Sequence, residues 1–321
     1  MDASLLHLAH ERGHISRPEI LATGHGDREI RSAIRSGLLT RIGAGLYAPA
    51  TLYRGLTDEE KLVTRSRAVF DRHRGTVALT HQSAAAVHGI ALWGAPLDEV
   101  HVTRLDHGRS RHEAGVQHHV GGMAEADVVE IDGVLVSSPD RCVWELACGQ
   151  SPESAIVSAD AALHQGLVTA ASLHDTSGRF RTWGGSRSGR LALSLADGRA
   201  ESPGESRARY QFWRHGIPRP DLQFRVTDES GLFVARTDFA WRLHRHLAEF
   251  DGRIKYDGTF GPDGFASVFD EKRREDLVRA QLWGLTRLIW SDLGELAVAR
   301  AMARLKADLD RSRSLYARHI A

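Results

Sequence analysis

Residues 1–55 carry short helical patterns followed by two β-like runs. Residues 16–19 form a capping box with proline in the first turn, which predicts the start of a helix. Residues 27–36 carry one apolar face, and Gly37 supplies the stop for that helix. Residues 38–48 give two short β-like runs around a Gly-Ala-Gly turn. The order of helix, helix, helix and hairpin is typical of a winged helix-turn-helix, which we predict for this block.

Residues 56–195 mix helical and strand-like patterns. Two stretches, 99–105 and 115–120, alternate apolar and polar residues as strands do. Helical patterns occupy residues 57–73, 83–89, 137–148 and 154–166. The segment 179–190 is rich in glycine, serine and arginine, so we expect a loop or a linker to the next block. This block is predicted to be a mixed α/β linking domain.

Residues 196–321 show the clearest order of elements. Helix, strand, strand, strand, helix and strand patterns follow one another at 205–216, 221–228, 232–241, 246–252, 269–284 and 285–290. Residues 229–231 join the first two strands as a hairpin, and a long terminal helix covers 293–319. We therefore predict an αβββαβ domain here, and an α/β (α+β overall) fold for the whole chain.

Composition and charge narrow the classes of function. The chain has 321 residues, with 42 lysines and arginines against 41 aspartates and glutamates, which excludes a uniformly basic nucleic-acid coat. No apolar run approaches the roughly 20 residues of a membrane span, and the first residues lack a signal-peptide pattern. We expect a cytoplasmic protein with no membrane partner. The two cysteines, Cys142 and Cys148, supply neither a disulfide framework nor a cysteine zinc site.

Acidic residues cluster on the predicted strands of the third block. Glu249 and Asp251 lie two apart on one strand and so share a face, and hairpin pairing can bring Asp238 alongside them. Three converging carboxylates suit Mg²⁺ (or Mn²⁺), which supports phosphodiester hydrolysis. Glu205, on the preceding helix, could add a fourth carboxylate or position a water. The alternative is that Asp238 and Asp251 are turn residues and Glu249 is an ordinary edge charge.

Four segments of this block resemble the very-short-patch-repair-endonuclease-like branch of the PD-(D/E)xK nuclease fold. They are SPGES at 202–206, RTDFAW at 236–241, EFDG at 249–252 and DEKRRED at 270–276. The resemblance implies that Asp238 and Glu249 bind the metal and that Glu205 is the accessory glutamate. Where the family motif has lysine two residues after the acid, this sequence has Asp251. Lys255 or Lys272 is then the expected substitute.

The third helix of the first block carries a basic face. Arg28, Arg31 and Arg35 recur at helical spacing, and arginine donates hydrogen bonds to guanine edges or phosphates in the major groove of double-stranded DNA. Arg41 and Tyr47 would flank the wing. The alternative is an ordinary solvated helix face.

The first two blocks resemble the N-terminal region of AbiE-type (AbiEi-like) antitoxins. The segments are SRPEILATG at 16–24, IRSGLLTRIGAGLYA at 34–48, THQSAAAVHGI at 80–90 and VSSPDRCVWELA at 136–147. The resemblance implies a promoter-binding repressor that contacts DNA through the four arginines named above. It also implies a cognate nucleotidyltransferase-type toxin as a partner.

Histidines crowd the predicted hairpin of the second block, at positions 101, 107, 112, 118 and 119. A zinc site needs three or four ligands on one side, whereas His118 and His119 face opposite ways on a strand. We therefore expect a polar hairpin face rather than a metal site. His81, before a small-residue helix, is expected to cap or pack.

Two functions follow from these patterns. The first is a DNA-binding protein with a metal-dependent DNA endonuclease-like domain that hydrolyses phosphodiester bonds. The second is a non-catalytic transcriptional repressor or antitoxin of a type IV (AbiE-like) toxin–antitoxin system. The missing lysine favours the second function, whereas the presence of Glu205, Asp238 and Glu249 together favours the first. RNA is a third, less favoured target.

Overall fold

The computed structural model describes residues 3–73, 75–106, 109–252 and 277–316. Helices and strands are mixed along the chain, in agreement with the α/β prediction. The chain forms two compact units, which are Met1–Ser158 with Gly166–Leu193, and Ala159–Gln165 with Ser194–Ala321. The first unit holds most of the first two predicted domains. No helix in the described ranges is long and apolar enough to cross a membrane.

The N-terminal part of the first unit has three helices and a three-stranded sheet. Its elements are α1 (Ala3–Arg12), β1 (Ile15–Ser16), α2 (Arg17–Ala22), α3 (Asp27–Arg35), β2 (Leu39–Gly43) and β3 (Leu46–Pro49). The capping box is present, because Ser16 and Glu19 each accept a hydrogen bond from the backbone N–H of the other. The strands pair in the order β1-β3-β2. The predicted order of helices and hairpin is confirmed, with β1 as an additional short strand.

The rest of the first unit is built around a six-stranded mixed sheet in the order β6-β7-β5-β4-β9-β8. Its strands are β4 (Val77–Leu79), β5 (Val100–Arg104), β6 (Arg111–Glu113), β7 (Val116–His119), β8 (Val128–Ile131) and β9 (Val134–Ser137). Its helices are α4 (Ala50–Arg54), α5 (Asp58–Arg72), α6 (His81–His88), α7 (Pro139–Gly149), α8 (Pro152–His164), α9 (Ala170–Arg179) and α10 (Ser186–Leu195). The division between the units falls inside α8, after Ser158.

Helix α10 corrects one prediction. The sequence predicts a loop or a linker at residues 179–190, but residues 186–190 belong to α10 and Arg179 ends α9. A Cβ at Gly189 would lie 3.0 Å from the ring of Trp144 and 3.3 Å from the backbone of Ala147. Glycine is therefore present because α10 packs closely against α7, and its usual association with loops is misleading here.

A charged network is buried between α7 and the residue that precedes β8. The side chains of Arg141 and Asp127 are 2% exposed, and that of Glu145 is 1% exposed. Arg141 donates hydrogen bonds of 2.9 Å to both carboxylates. Its guanidinium also lies over the rings of Phe180 and Trp183. These partners satisfy the buried charge of Arg141, which would otherwise carry a large desolvation cost.

The second unit has a four-stranded mixed sheet in the order β10-β11-β12-β13. Its elements after α10 are α11 (Pro203–Arg214), β10 (Asp221–Thr227), β11 (Phe233–Trp241), β12 (His246–Asp251), β13 (Gly284–Ile289) and α12 (Val298–Tyr316). Strand β11 is antiparallel to both β10 and β12, whereas β12 pairs with β13 in parallel. Of the helix predicted at 269–284, residues 269–276 lie outside the described residues, 277–280 are helical, and 281–284 form a turn and the start of β13.

The terminal helix begins later than predicted. The sequence pattern placed its start at Leu293, but α12 begins at Val298. Leu293 instead ends a 3-10 turn, in which the Asp292 carboxylate accepts a hydrogen bond from the backbone of Ile289. Leu293 is nevertheless buried with the core of this unit. The apolar Leu293, which lies in the turn before α12, therefore made the predicted helix begin too early.

Candidate functional site

The antiparallel pairing of β11 with β12 positions two of the predicted carboxylates. Phe239 lies opposite Ala248, and continuing this register by one residue puts Asp238 opposite Glu249. The Asp238 carboxylate accepts a hydrogen bond of 2.7 Å from the backbone N–H of Phe250. The predicted hairpin geometry therefore places Asp238 and Glu249 side by side at one end of the strand pair.

Glu205 lies in the first turn of α11 and is only 7% exposed. Its carboxylate accepts hydrogen bonds from the Ser202 hydroxyl at 2.7 Å and from the Gln223 amide at 2.9 Å. Burial raises the pKa of Glu205, and the negative charges of Asp238 and Glu201 raise it further. The structure thus brings Glu205 within electrostatic range of Asp238, where a cation would relieve the repulsion.

Close packing fixes the start of α11 against β12. A Cβ added at Gly204 would clash with the ring of Phe250, so only glycine allows this approach. The Phe250 ring in turn makes an edge-to-face contact with Trp290. Gly204 precedes Glu205, and this contact therefore determines where the accessory glutamate lies relative to the end of β12.

The remaining acidic positions are less closely grouped. Glu249 lies 3.9 Å from Arg287, its register partner on β13, and Asp251 lies opposite Ile289. Within the described ranges, the acidic residues do not form a set of three whose carboxylate oxygens all lie within 4.8 Å of one another. Lys255 and Lys272, the two predicted lysine substitutes, lie outside the described residues.

The predicted recognition helix presents its arginines to solvent. Arg28, Arg31 and Arg35 of α3 are exposed, whereas Ile30 and Ala33 on the same helix are buried. The basic face is therefore exposed as predicted, and the apolar face is buried at Ile30 and Ala33 but not at Ile34, which is 37% exposed.

The two residues predicted to flank the wing differ from each other. Arg41 on β2 is exposed and donates a hydrogen bond to the backbone of Gly43. Tyr47 on β3 is 8% exposed and belongs to the core formed with α1, α2 and α3. Its burial gives Tyr47 a packing role.

One cluster in the first unit was missed by the sequence analysis. His81, which was expected to cap or pack, lies beside His101 and His119 of the hairpin region. The available signal was the short apolar run at residues 77–79, which forms β4 and places His81 just beyond the end of that strand. His118 faces away from this cluster and contacts His73, so the predicted alternation of His118 and His119 is confirmed.

Comparison with known proteins adds relatives without a described function. No family model matches the chain. Two proteins of Mycobacterium tuberculosis are similar, the uncharacterized protein MT2308 of strain CDC 1551 and the uncharacterized protein Rv2248 of strain H37Rv. Each is 29% identical over 283 residues, which cover 87% of this chain and 96% of the relative. The similarity therefore extends over nearly the whole length of those proteins.

Proposed function

We propose that the chain is a DNA-binding protein whose second unit hydrolyses phosphodiester bonds with Mg²⁺ or Mn²⁺. The observation that carries this proposal is the buried Glu205, packed at the start of α11 beside Asp238, which pairs across the strands with Glu249. Buried like charges are costly without a cation, and carboxylate oxygens are the ligands that Mg²⁺ prefers. The order of α11, β10, β11 and β12, with β13 parallel to β12, supports the same nuclease-type domain.

The residues of this site divide into two roles. Asp238 and Glu249, with Asp251 on the same strand, would hold the ion. Glu205, whose pKa is raised by burial, would accept a hydrogen bond from the water that attacks phosphorus. A bound ion supplies positive charge that stabilises the phosphate oxygens and lowers the pKa of water. The attacking water would give a proton to Glu205 as its oxygen bonds to phosphorus and the ester bond breaks, and the leaving oxygen would take a proton from the solvent.

The first unit would hold the duplex. The exposed face formed by Arg28, Arg31 and Arg35 of α3 offers donors to phosphates and guanine edges, and Arg41 extends it along β2. The bidentate ion pair between Arg17 and Asp27 lies at the start of the same helix. It neutralises Asp27 and thereby reduces the negative charge beside the arginine face.

A second candidate is a non-catalytic DNA-binding repressor or antitoxin. Arg287 lies 3.9 Å from Glu249. Its positive charge therefore lies beside a carboxylate that, as a metal ligand, would need only the charge of the ion. Asp251 also stands where the related nucleases have lysine. In this case the arginine face of α3 would bind a promoter, and the partner would be a nucleotidyltransferase-type toxin.

Cleavage of supercoiled plasmid in Mg²⁺ or Mn²⁺ distinguishes the two candidates. We expect the wild type to nick the DNA, and we expect nicking to disappear in EDTA and in the Asp238→Asn variant. Asp310→Asn is the matched control, because it makes the same chemical change at an exposed position of α12. A wild type that retards DNA on a gel, but leaves it intact with either metal, would support the repressor and contradict the nuclease.

A further inference from the structure

Three histidines that are distant in the sequence meet beside the inner strands of the first unit's sheet. His81 begins α6 directly after β4, His101 lies on β5, and His119 ends β7. Strands β5 and β7 are parallel, with His101 opposite Gln117 and Thr103 opposite His119. His101 and His119 are therefore two residues apart in register and share one face of the sheet. Because β4 is the other neighbour of β5, His81 reaches the same place.

The ring nitrogens converge to the spacing of a metal site. One ligand atom from each histidine lies within 4.8 Å of the other two, and His101 Nδ1 is 3.0 Å from His119 Nε2. Zinc–nitrogen bonds of about 2.0–2.1 Å place two ligands of a tetrahedral ion roughly 3.3 Å apart. We propose that His81, His101 and His119 bind a divalent transition-metal ion of the zinc class.

The state of the rings supports metal binding. Burial lowers the pKa values of all three rings and so favours the uncharged imidazole. The neutral ring is the form that binds a metal ion, and three imidazoles favour Zn²⁺ over Mg²⁺.

Neighbouring groups hold His81 in place. Its backbone N–H donates a hydrogen bond of 3.0 Å to Glu145, and its Nδ1 lies 3.2 Å from the Thr80 hydroxyl. Its φ of 51° is in the left-handed region that non-glycine residues rarely adopt. Glu145 is itself fixed by Arg141. These contacts occupy one side of the His81 ring and leave Nε2 to act as the ligand, as outer groups do at known metal sites.

The site opens into a cavity of about 470 Å³. His81 and His119 line this cavity, together with Cys148 and the aromatic rings of Phe180 and Trp183. Three protein ligands and an accessible fourth position are characteristic of zinc sites that bind a water or a substrate, whereas structural sites use four protein ligands. The geometry therefore assigns an open site, with the fourth position facing the cavity.

Zinc titration of the full-length protein tests this proposal. The protein is stripped with EDTA, dialysed, and titrated with ZnCl₂ by calorimetry in excess Mg²⁺, which leaves oxygen-rich sites occupied. We expect one tight site in the wild type. His119→Gln and His101→Gln are each expected to weaken it by at least the roughly 10–100-fold that is lost when outer groups of a metal site are changed. His112→Gln is the matched control, because His112 lies on the same hairpin but pairs with Glu99.

Substitution of Co²⁺ for Zn²⁺ provides a second readout, since nitrogen ligation produces visible absorption that both ligand variants should lose. Circular dichroism of the metal-free variants shows that each has kept its fold. The proposal is overturned if the wild type shows no tight site. It is also overturned if His112→Gln weakens zinc binding as much as His119→Gln, because the zinc would then be bound by surface histidines in general.

Discussion

The first unit brings together three neutral imidazole rings, whereas the second brings together carboxylates of like charge. The ring nitrogens of His81, His101 and His119 approach within 4.8 Å without electrostatic cost. In the second unit, Asp238 raises the pKa of Glu205, and Glu249 lies near Arg287. Neutral ligands can therefore be fully assembled before an ion binds. Carboxylates, in contrast, stay apart or pair with a cationic side chain of the protein until a metal ion takes the place of that side chain.

The two sites also depend on different supports. Behind the histidines lies the buried network of Arg141, Glu145 and Asp127, in which hydrogen bonds to charged groups fix the backbone of His81. Behind Glu205 lies an apolar contact, the direct packing of Gly204 on Phe250. Removing a charge would therefore disrupt the support of His81, whereas adding a methyl group would disrupt the support of Glu205.

The largest effect is expected for Arg141→Met. This change leaves Glu145 and Asp127 buried without their common partner, and removal of one member of a buried ion pair costs about 3–5 kcal/mol. Urea denaturation should show a loss of this size, and hydrogen exchange should place it in the first unit. Arg67→Met is the control, because its ion pair with Asp132 is solvent-accessible and is worth less than about 1 kcal/mol. Equal losses in the two variants would show that the network is not a support.

Gly204→Ala is expected to have the next largest effect. The added methyl group would overlap the Phe250 ring, and overpacking of this kind costs about 1–3 kcal/mol. Thermal denaturation should record the loss, with faster hydrogen exchange in α11 and β12. Gly178→Ala makes the same change in α9, where no atom lies within 4 Å, and it should stabilise the protein by up to about 1 kcal/mol. A neutral Gly204→Ala would mean that α11 can move away from β12 without cost.

Arg31→Ala tests whether the exposed face of α3 contacts DNA. Loss of one phosphate contact should lower the slope of log K against log salt by about one, across unrelated sequences. Titrations of labelled duplex at several salt concentrations measure this slope. Arg300→Ala, at an exposed position of α12, provides the control. Unchanged slopes for both variants would assign the arginine face of α3 to an ordinary solvated surface.

The smallest loss of stability is expected for Asp197→Asn. The partners of Asp197, Arg199 and Arg219, are exposed, whereas the charged network of the first unit is buried. Burial acts to raise the pKa of Asp197, but hydrogen bonds from Arg199 and Arg219 hold it below its ordinary value. A lowered pKa adds stability above the unfolded value of about 3.9, and that stability is lost as the pH falls through the folded pKa. Asp197→Asn should therefore cost about 1 kcal/mol at pH 7.

The difference between wild type and Asp197→Asn should shrink as the pH falls below about 3.9, where the unfolded wild-type carboxyl becomes protonated. Urea denaturation at a series of pH values measures it. Asp310→Asn should show no such difference at any pH, because the Asp310 side chain is exposed on α12. A constant difference across the acid range would show that Asp197 contributes through its shape and not through its charge.

Features that depend on near neighbours could be predicted from the sequence alone. The capping box at Ser16, the hairpin after β10 and the placement of Asp238 opposite Glu249 all arise from residues close together in the chain. Helix caps and hairpin registers are set by local hydrogen bonds, so their residue patterns can be recognised without the fold. The order of elements in the second unit followed from the same kind of pattern.

Which distant residues meet is visible only in the folded chain. His81 joins His101 and His119 because β5 lies between β4 and β7, an arrangement that no local pattern reveals. Tyr47 is buried because it packs against residues of three helices. Position 189 requires glycine because Trp144 leaves no room for a larger residue. Burial and close packing are properties of the whole assembled core. They decide the role of a residue only when its neighbours from elsewhere in the chain are in place.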